Sequence, residues 1–442
     1  MKKTLFCCLL ANLLFFSTVS KAEFLKLNEY KLDNGLQVIV IPNHKAPIVM
    51  HMLWYKIGAA DEAIGKGGSA HLLEHLMFRG TKKIKGQEYN RIMQQNGAVS
   101  NAFTGQDSTA YHQFVDISRL ELAMYLEADR MKNLNIDDES FETERQIVFQ
   151  ERKQMIENNP LYSFNEELLR TFWQNHPYSR PVTGTEEEIM SLTKKDLKKI
   201  YKKYRPDNAF LIVSGDIEPQ QAYELAQKYY GQIPPSHKPL LRKNDNQTLV
   251  KMQTRFTMEL PKLNISRVVR KYRAPSFATA PKKIYPYIVL SKYLGEGDTS
   301  LLHRMLVEEK NLAVSASGNY IFTPTAGGSF EFVLVPSSKD KMELLITEFD
   351  KILNYIPQSF TQQDLEKTKR QLLAGLIYTR DNPHSASYIV GMLVRAGMSA
   401  KDIENYDQNI KSVTLQQVKD AAKELLQSSF VEGTALPKGE NK

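Results

Sequence analysis

The feature that most restricts this chain is the run Gly67-Gly68-Ser69-Ala70-His71-Leu72-Leu73-Glu74-His75-Leu76-Met77-Phe78. The pattern predicts a helix over 69–78, and at about 100° per residue His71 and His75 project from one face with Glu74 beside them. Leu72, Leu73, Leu76 and Met77 cover the remaining faces and require burial, so the His-Glu side is left facing a cleft.

Two imidazoles four residues apart on a helix can reach one zinc ion at about 2.0–2.1 Å. Glu74, one residue before the second histidine, is placed to take a proton from metal-activated water rather than to fill a coordination position. The order H-x-x-E-H reverses H-E-x-x-H and is a zinc-peptidase signature. With nine histidines in 442 residues, chance alone would produce it in only about 1% of such chains. The plainer reading is two surface histidines and a glutamate on an amphipathic helix.

A catalytic zinc site usually needs a third protein ligand. The predicted helix 138–157 carries Glu139, Glu142, Glu144, Glu151 and Glu157. Phe141, Ile147, Val148 and Met155 define its apolar sector, which includes Glu144 and Glu151 and excludes Glu142 and Glu157. Carboxylates on a core-facing stripe need partners: a metal ion for Glu151 and a supporting contact for Glu144. Periodicity alone leaves open that both lie at the stripe's edge and reach solvent.

The wider pattern predicts an α+β fold. A hairpin over 26–41 turns at Asp33-Asn34-Gly35, a strand follows at 48–57, and a hairpin spans 98–103 and 109–115. Helices are predicted at 117–132, 138–157, 162–173 and 193–203, then a strand at 209–214 and a helix at 219–230. After a Pro-rich, polar linker the order restarts, which predicts two related domains, each an antiparallel-rich sheet packed with helices. The expected divisions are 23–235, a linker at 236–248, a second domain without metal at 249–430, and a disordered tail at 431–442.

With these elements in place, the chain resembles the pitrilysin or insulinase family of zinc metallopeptidases, in its mitochondrial-processing-peptidase-like branch. The resemblance rests on His71-Leu72-Leu73-Glu74-His75, on the pair Glu144 and Glu151, and on Leu32 to Leu36, Phe78-Arg79-Gly80-Thr81, His176-Pro177-Tyr178, Gly184, Tyr204 to Asn208 and Gly215-Asp216. It implies one Zn2+ per chain held by His71, His75 and Glu151, with Glu74 as general base and Glu144 supporting the ligands. It also implies that each chain forms one half of a clamshell, and that Asn101 and Ala102 lie on an exposed edge strand that binds substrate backbone by β-augmentation.

One stretch departs from the family. Relatives read R-E-K-x-G-L-A-Y where this chain reads Val307-Glu308-Glu309-Lys310-Asn311-Leu312-Ala313-Val314. Valine cannot donate to a developing oxyanion, and loss of such a donor costs about 10²- to 10³-fold in rate. The resemblance therefore suggests a heterodimer in which a related zinc-less subunit supplies the Arg and Tyr. A homodimer, a self-sufficient monomer and a non-catalytic peptide-binding subunit with structural zinc are the alternatives. His303 and Arg304 are nearby candidate donors.

At the start of the chain, Lys2 and Lys3 precede an apolar run from Leu5 to Val19, and Ser20-Lys21-Ala22 provides a cleavage site, so residues 1–22 are expected to be a signal peptide. Export, most simply to a bacterial periplasm, follows. Both cysteines, Cys7 and Cys8, fall inside that segment, so the mature chain would have no disulfide. No later stretch suits a membrane span. A formal charge of +8 spread along the chain argues against nucleic acid as a partner.

Overall fold

The computed structural model describes residues 25–237, 240, 253–325 and 327–439. The expected signal peptide, most of the 236–248 linker and residues 440–442 lie outside the described residues.

The first half begins with strands β1 (Asn28–Lys31), β2 (Gln37–Pro42) and β3 (Ile48–Tyr55). Helices α1 (Ser69–Leu76) and α2 (Glu88–Gln95) lead to the hairpin of β4 (Val99–Thr104) and β5 (Thr109–Asp116). Helices α3 (Leu120–Asn133), α4 (Asp138–Asn158), α5 (Leu161–Trp173), α6 (Glu186–Ser191) and α7 (Lys194–Tyr201) precede β6 (Ala209–Gly215) and α8 (Pro219–Tyr230). The sheet order is β1-β2-β6-β3-β5-β4, and only β2 and β6 run parallel. The β1–β2 turn forms where predicted. Gly35 takes the left-handed φ of 93° that a side chain would resist, and the Leu36 N–H donates to Asn34 Oδ1 at 3.3 Å.

The second half repeats this plan. Strands β7 (Gln253–Leu260) and β8 (Arg267–Ala274), helix α9 (Ile284–Gly295) and a π-helical segment at His303–Glu309 precede the hairpin of β9 (Ala313–Phe322) and β10 (Gly328–Pro336). Helices α10 (Met342–Ser359), α11 (Gln362–Asp381), α12 (Pro383–Arg395), α13 (Ala400–Glu404), α14 (Tyr406–Ser412) and α15 (Leu415–Gln427) lead to β11 (Phe430–Pro437). The order β7-β11-β8-β10-β9 matches β2-β6-β3-β5-β4 strand for strand, down to the single parallel pair, β7 with β11.

Strand β11 corrects the expected disorder of 431–442. Residues 430–437 lie inside the second sheet, bonded to β7 on one side and β8 on the other. Val431 and Ala435 are fully buried. The segment Phe430–Pro437 shows no clear alternation and contains Gly433 and Pro437, so it does not stand out as a strand, and its stability comes from two neighbours distant in sequence.

The halves pack reciprocally. Helix α12 lies on the first sheet, where Gly391 leaves room for Trp54: a Cβ there would sit 2.3 Å from the indole. Helix α5 lies on the second sheet, with Phe164 against Gly433 of β11. Trp54 also stacks on Phe210 at 5.6 Å between ring centroids, within a core shared by both halves. None of the helices among the described residues is long and apolar enough to cross a membrane.

Candidate metal centre

Helix α1 starts where the backbone leaves no space for side chains. Gly68, its N-cap, has φ of 80°, and a Cβ would lie 2.3 Å from the Thr183 carbonyl oxygen. Glu62 binds the helix start, accepting from the N–H groups of Gly68 at 3.1 Å and Ala70 at 2.7 Å. Burial pushes its carboxyl up to about 8 against those two bonds. Leu72, Leu73 and Leu76 are fully buried, which fixes the rotation of α1 and turns His71, Glu74 and His75 toward α4 and β4.

The three candidate ligands converge. Glu151 Oε2 lies 3.8 Å from His71 Nε2 and 3.5 Å from His75 Nε2, and one ligand atom from each of the three residues lies within 4.8 Å of the others. Tetrahedral ligands about 2.0–2.1 Å from zinc stand about 3.4 Å apart, so the donor set fits that ion. The His75 Nδ1 meets Glu144 Oε2 at 2.9 Å, which leaves Nε2 turned toward Glu151. This imidazole–carboxylate pairing is typical of an oriented metal ligand.

The electrostatics follow from burial and pairing. Burial opposes charge on His75, but its bonds to Glu144 and Glu151 prevail and raise it to about 9. Burial, with His75 beside it, pushes His71 down to about 4. The bond to His75 holds Glu151 below the usual carboxylate range despite its burial. Burial would raise Glu144, yet His75 and the Arg79 guanidinium hold it low.

Glu74 is close to this group but outside the three-ligand set. Its Oε2 accepts from Thr104 Oγ1 at 2.5 Å. Burial raises its affinity for a proton, with the Thr104 bond opposing. Glu144 is only 3% exposed and lies on the inward side of α4, whereas Glu151 is 35% exposed and lies at the edge of that side, turned toward the two histidines. Ile147, assigned to the same sector, is instead 40% exposed. The buried stripe runs Phe141, Glu144, Val148, Arg152, and Arg152 is neutralised there by Glu166 at 2.6 Å.

Asn101 and Ala102 lie on β4, the edge of the first sheet, in register with His112 and Tyr111. They point to opposite faces. Ala102 packs on the side of α1, Asn101 faces the second half, and the Asn101 Oδ1 accepts the Ala102 N–H at 2.8 Å. Sequence reasoning missed Thr104 and Arg79 as neighbours of the site. Arg79, four residues after His75, would lie on the ligand face if the helix ran on. Thr104 carries no local signal, being 30 residues from Glu74.

The departures from the family pattern also have positions. Val314 lies on the edge strand β9 and is 55% exposed, and Val307 packs against the core. His303 and Arg304 pair within their own segment, with Glu308 at 3.9 Å and Glu309 at 3.5 Å.

Residues 37–186 match the model of the insulinase family (peptidase family M16), and residues 191–372 match that of the peptidase M16 inactive domain. The zinc protease PqqE of Helicobacter pylori is 31% identical over 372 residues, covering 82% of this chain and 81% of that protein. A probable mitochondrial-processing peptidase subunit beta of Schizosaccharomyces pombe is 25% identical over 419 residues, covering 89% and 88%. The crystal structure of a Helicobacter pylori protease superposes with a TM-score of 0.85 at 27% identity, covering 93% of this chain and all of that one. The first half of the periplasmic protease PqqL of Escherichia coli shares the fold, with a TM-score of 0.78 at 18% identity and coverage of 93% and 92%. With its paired sheets, its inverted motif on α1 and these relatives, the chain belongs to the insulinase family of peptidases, family M16.

Proposed function

We propose that this protein is an exported zinc-dependent endopeptidase acting on peptides or unfolded segments, with His71, His75 and Glu151 as metal ligands, Glu74 as general base and Glu144 orienting His75. The observation that carries this reading is Glu74, a half-buried carboxylate beside a three-ligand set and not used by it. A purely structural metal site has no need of such a group. Zinc in a site of this kind supplies Lewis-acid polarisation of a carbonyl and acidifies water. Glu74 keeps one oxygen free of Thr104, takes a proton from the attacking water there, and passes it to the leaving amine. Burial favours the protonated form that Glu74 must hold between those two steps. Extended substrate joins β4 as an added strand along Asn101 and Ala102, so main chain is gripped whatever its sequence.

A related zinc-less subunit supplies the donors that Val307 and Val314 lack, and closes the clamshell. The subunit designation of the Schizosaccharomyces relative supports this arrangement. The description of PqqL as periplasmic supports export.

The test is to purify the chain lacking 1–22, measure bound zinc, and follow cleavage of a quenched peptide, alone and with a related zinc-less subunit. We expect about one zinc per chain, partner-stimulated cleavage, and a loss of at least about 10³-fold in Glu74→Gln at unchanged zinc content. Equal cleavage by Glu74→Gln removes Glu74 from the mechanism. A zinc-loaded chain inactive with every partner supports the non-catalytic binding subunit instead.

A further inference from the structure

On the face of the first sheet opposite α1, a cavity of about 560 Å³ opens between the sheet and the start of α12. Its floor is Ile48, Met50 and Phe114; His112 and His384 stand on one side. Val99, 65% exposed, and Asn101 form the lip, so the cavity opens at the free edge of β4. The two imidazoles meet edge to face at 5.6 Å between centroids. The Nδ1 of His112 is buried with no hydrogen-bond partner among the described residues. At the rim, Lys45 and Asp381 neutralise each other at 2.8 Å, so the opening favours neither charge.

Register connects this cavity to the cleavage site. Side chains of a strand added to β4 alternate between faces. Those on one face fall beside Ala102 and Thr104, whose hydroxyl holds Glu74. Those on the other fall beside Val99 and Asn101, at the mouth of the cavity. Asn101 is three residues from Thr104, about 10 Å along a strand at about 3.3 Å per residue. A side chain entering the cavity therefore belongs to a residue two to four positions from the bond cut.

We propose that this cavity is a specificity pocket for an aromatic side chain of a peptide bound along β4. The apolar floor takes the ring, and the His112–His384 pair offers edge and face contacts to it. The inference rests on the proposed binding of substrate at β4, and it adds a side-chain preference to a main-chain grip.

The test uses Glu74→Gln protein and fluorescent peptides in which one aromatic residue is walked along an alanine-serine background, read by anisotropy. In parallel, cleavage of the same series by the otherwise wild-type enzyme is followed. At one position, two to four residues from the cleaved bond, an aromatic residue is expected to improve binding and kcat/KM by about 10-fold or more over alanine. Ala46→Trp, which fills the cavity from its wall, should bring that ratio near one. His384→Ala, at an exposed position safe for folding, should lower it about threefold. Cleavage without aromatic preference, or a preference unmoved in both variants, overturns the pocket and leaves the peptidase reading intact. Aromatic-dependent binding without cleavage sustains the pocket and counts against the peptidase reading. Absence of binding by any peptide overturns both.

Discussion

The two halves of this protein share one order over five strands, and they part most clearly in how the helix between two of those strands is set. Helix α1 joins β3 to β4 in the first half, and α9 joins β8 to β9 in the second. Helix α1 carries His71, Glu74 and His75 and stands off β4 far enough for Glu74 to meet Thr104. Helix α9 instead closes onto β9: a Cβ on Gly295 would lie 1.8 Å from the Gly318 nitrogen. Duplication reproduces a scaffold readily, because strand pairing and helix packing tolerate many apolar sequences. A cleft survives only where the helix is kept off the edge strand, and here that is the half carrying His71, His75 and Glu151.

The sharpest way to break the comparison is to remove β11, the counterpart of β6. Truncation after Ser429 should abolish the cooperative unfolding of the second half and produce insoluble or protease-sensitive protein, as read by limited proteolysis and calorimetry. Gly295→Val tests the closed α9–β9 contact. It should cost about 3 kcal/mol or more through overpacking against backbone, visible in the urea midpoint, whereas Gly375→Ala, whose Cβ meets open space, should cost less. Glu144→Gln tests the open half: with the His75 orientation weakened, zinc should be lost to a competing chelator at about 10- to 100-fold lower chelator strength.

The smallest effect is a pH slope at the junction of the halves. Burial, with His384 and Arg130 nearby, pushes the His112 imidazole from 6.5 down to about 4. Between those values the unfolded chain binds the proton and the folded chain does not, so this residue's contribution is intact above about pH 6.5 and is lost as pH falls toward 4. His112→Gln should therefore gain stability relative to wild type as pH drops through that window, measured by urea unfolding at pH 7.5 and 4.5.

Much of this was legible locally. The hairpin at Asp33-Asn34-Gly35, the helix bearing the inverted motif and the long acidic helix α4 all form within a residue or two of their expected bounds, because period and turn chemistry act over a few residues. The second half was legible as a repeat, yet its last strand was not. The first half places β6 after its helices, and the same logic would have placed a strand at 430–437. A segment containing Gly433 and Pro437 gives little signal by itself, and only β7 and β8 make it a strand.

What the sequence alone determined is the chemistry available: two imidazoles and an acid at fixed helical spacing, two further acids seven apart, and valines rather than hydrogen-bond donors at 307 and 314. Tertiary structure decided which of these meet. It brought α4 across to α1, set Thr104 against Glu74 and Arg79 against Glu144, and turned Asn101 away from the α1 side toward the cavity at α12. Spacing along a chain fixes angles only within one element, whereas the distance between elements is set by burial of faces remote in sequence.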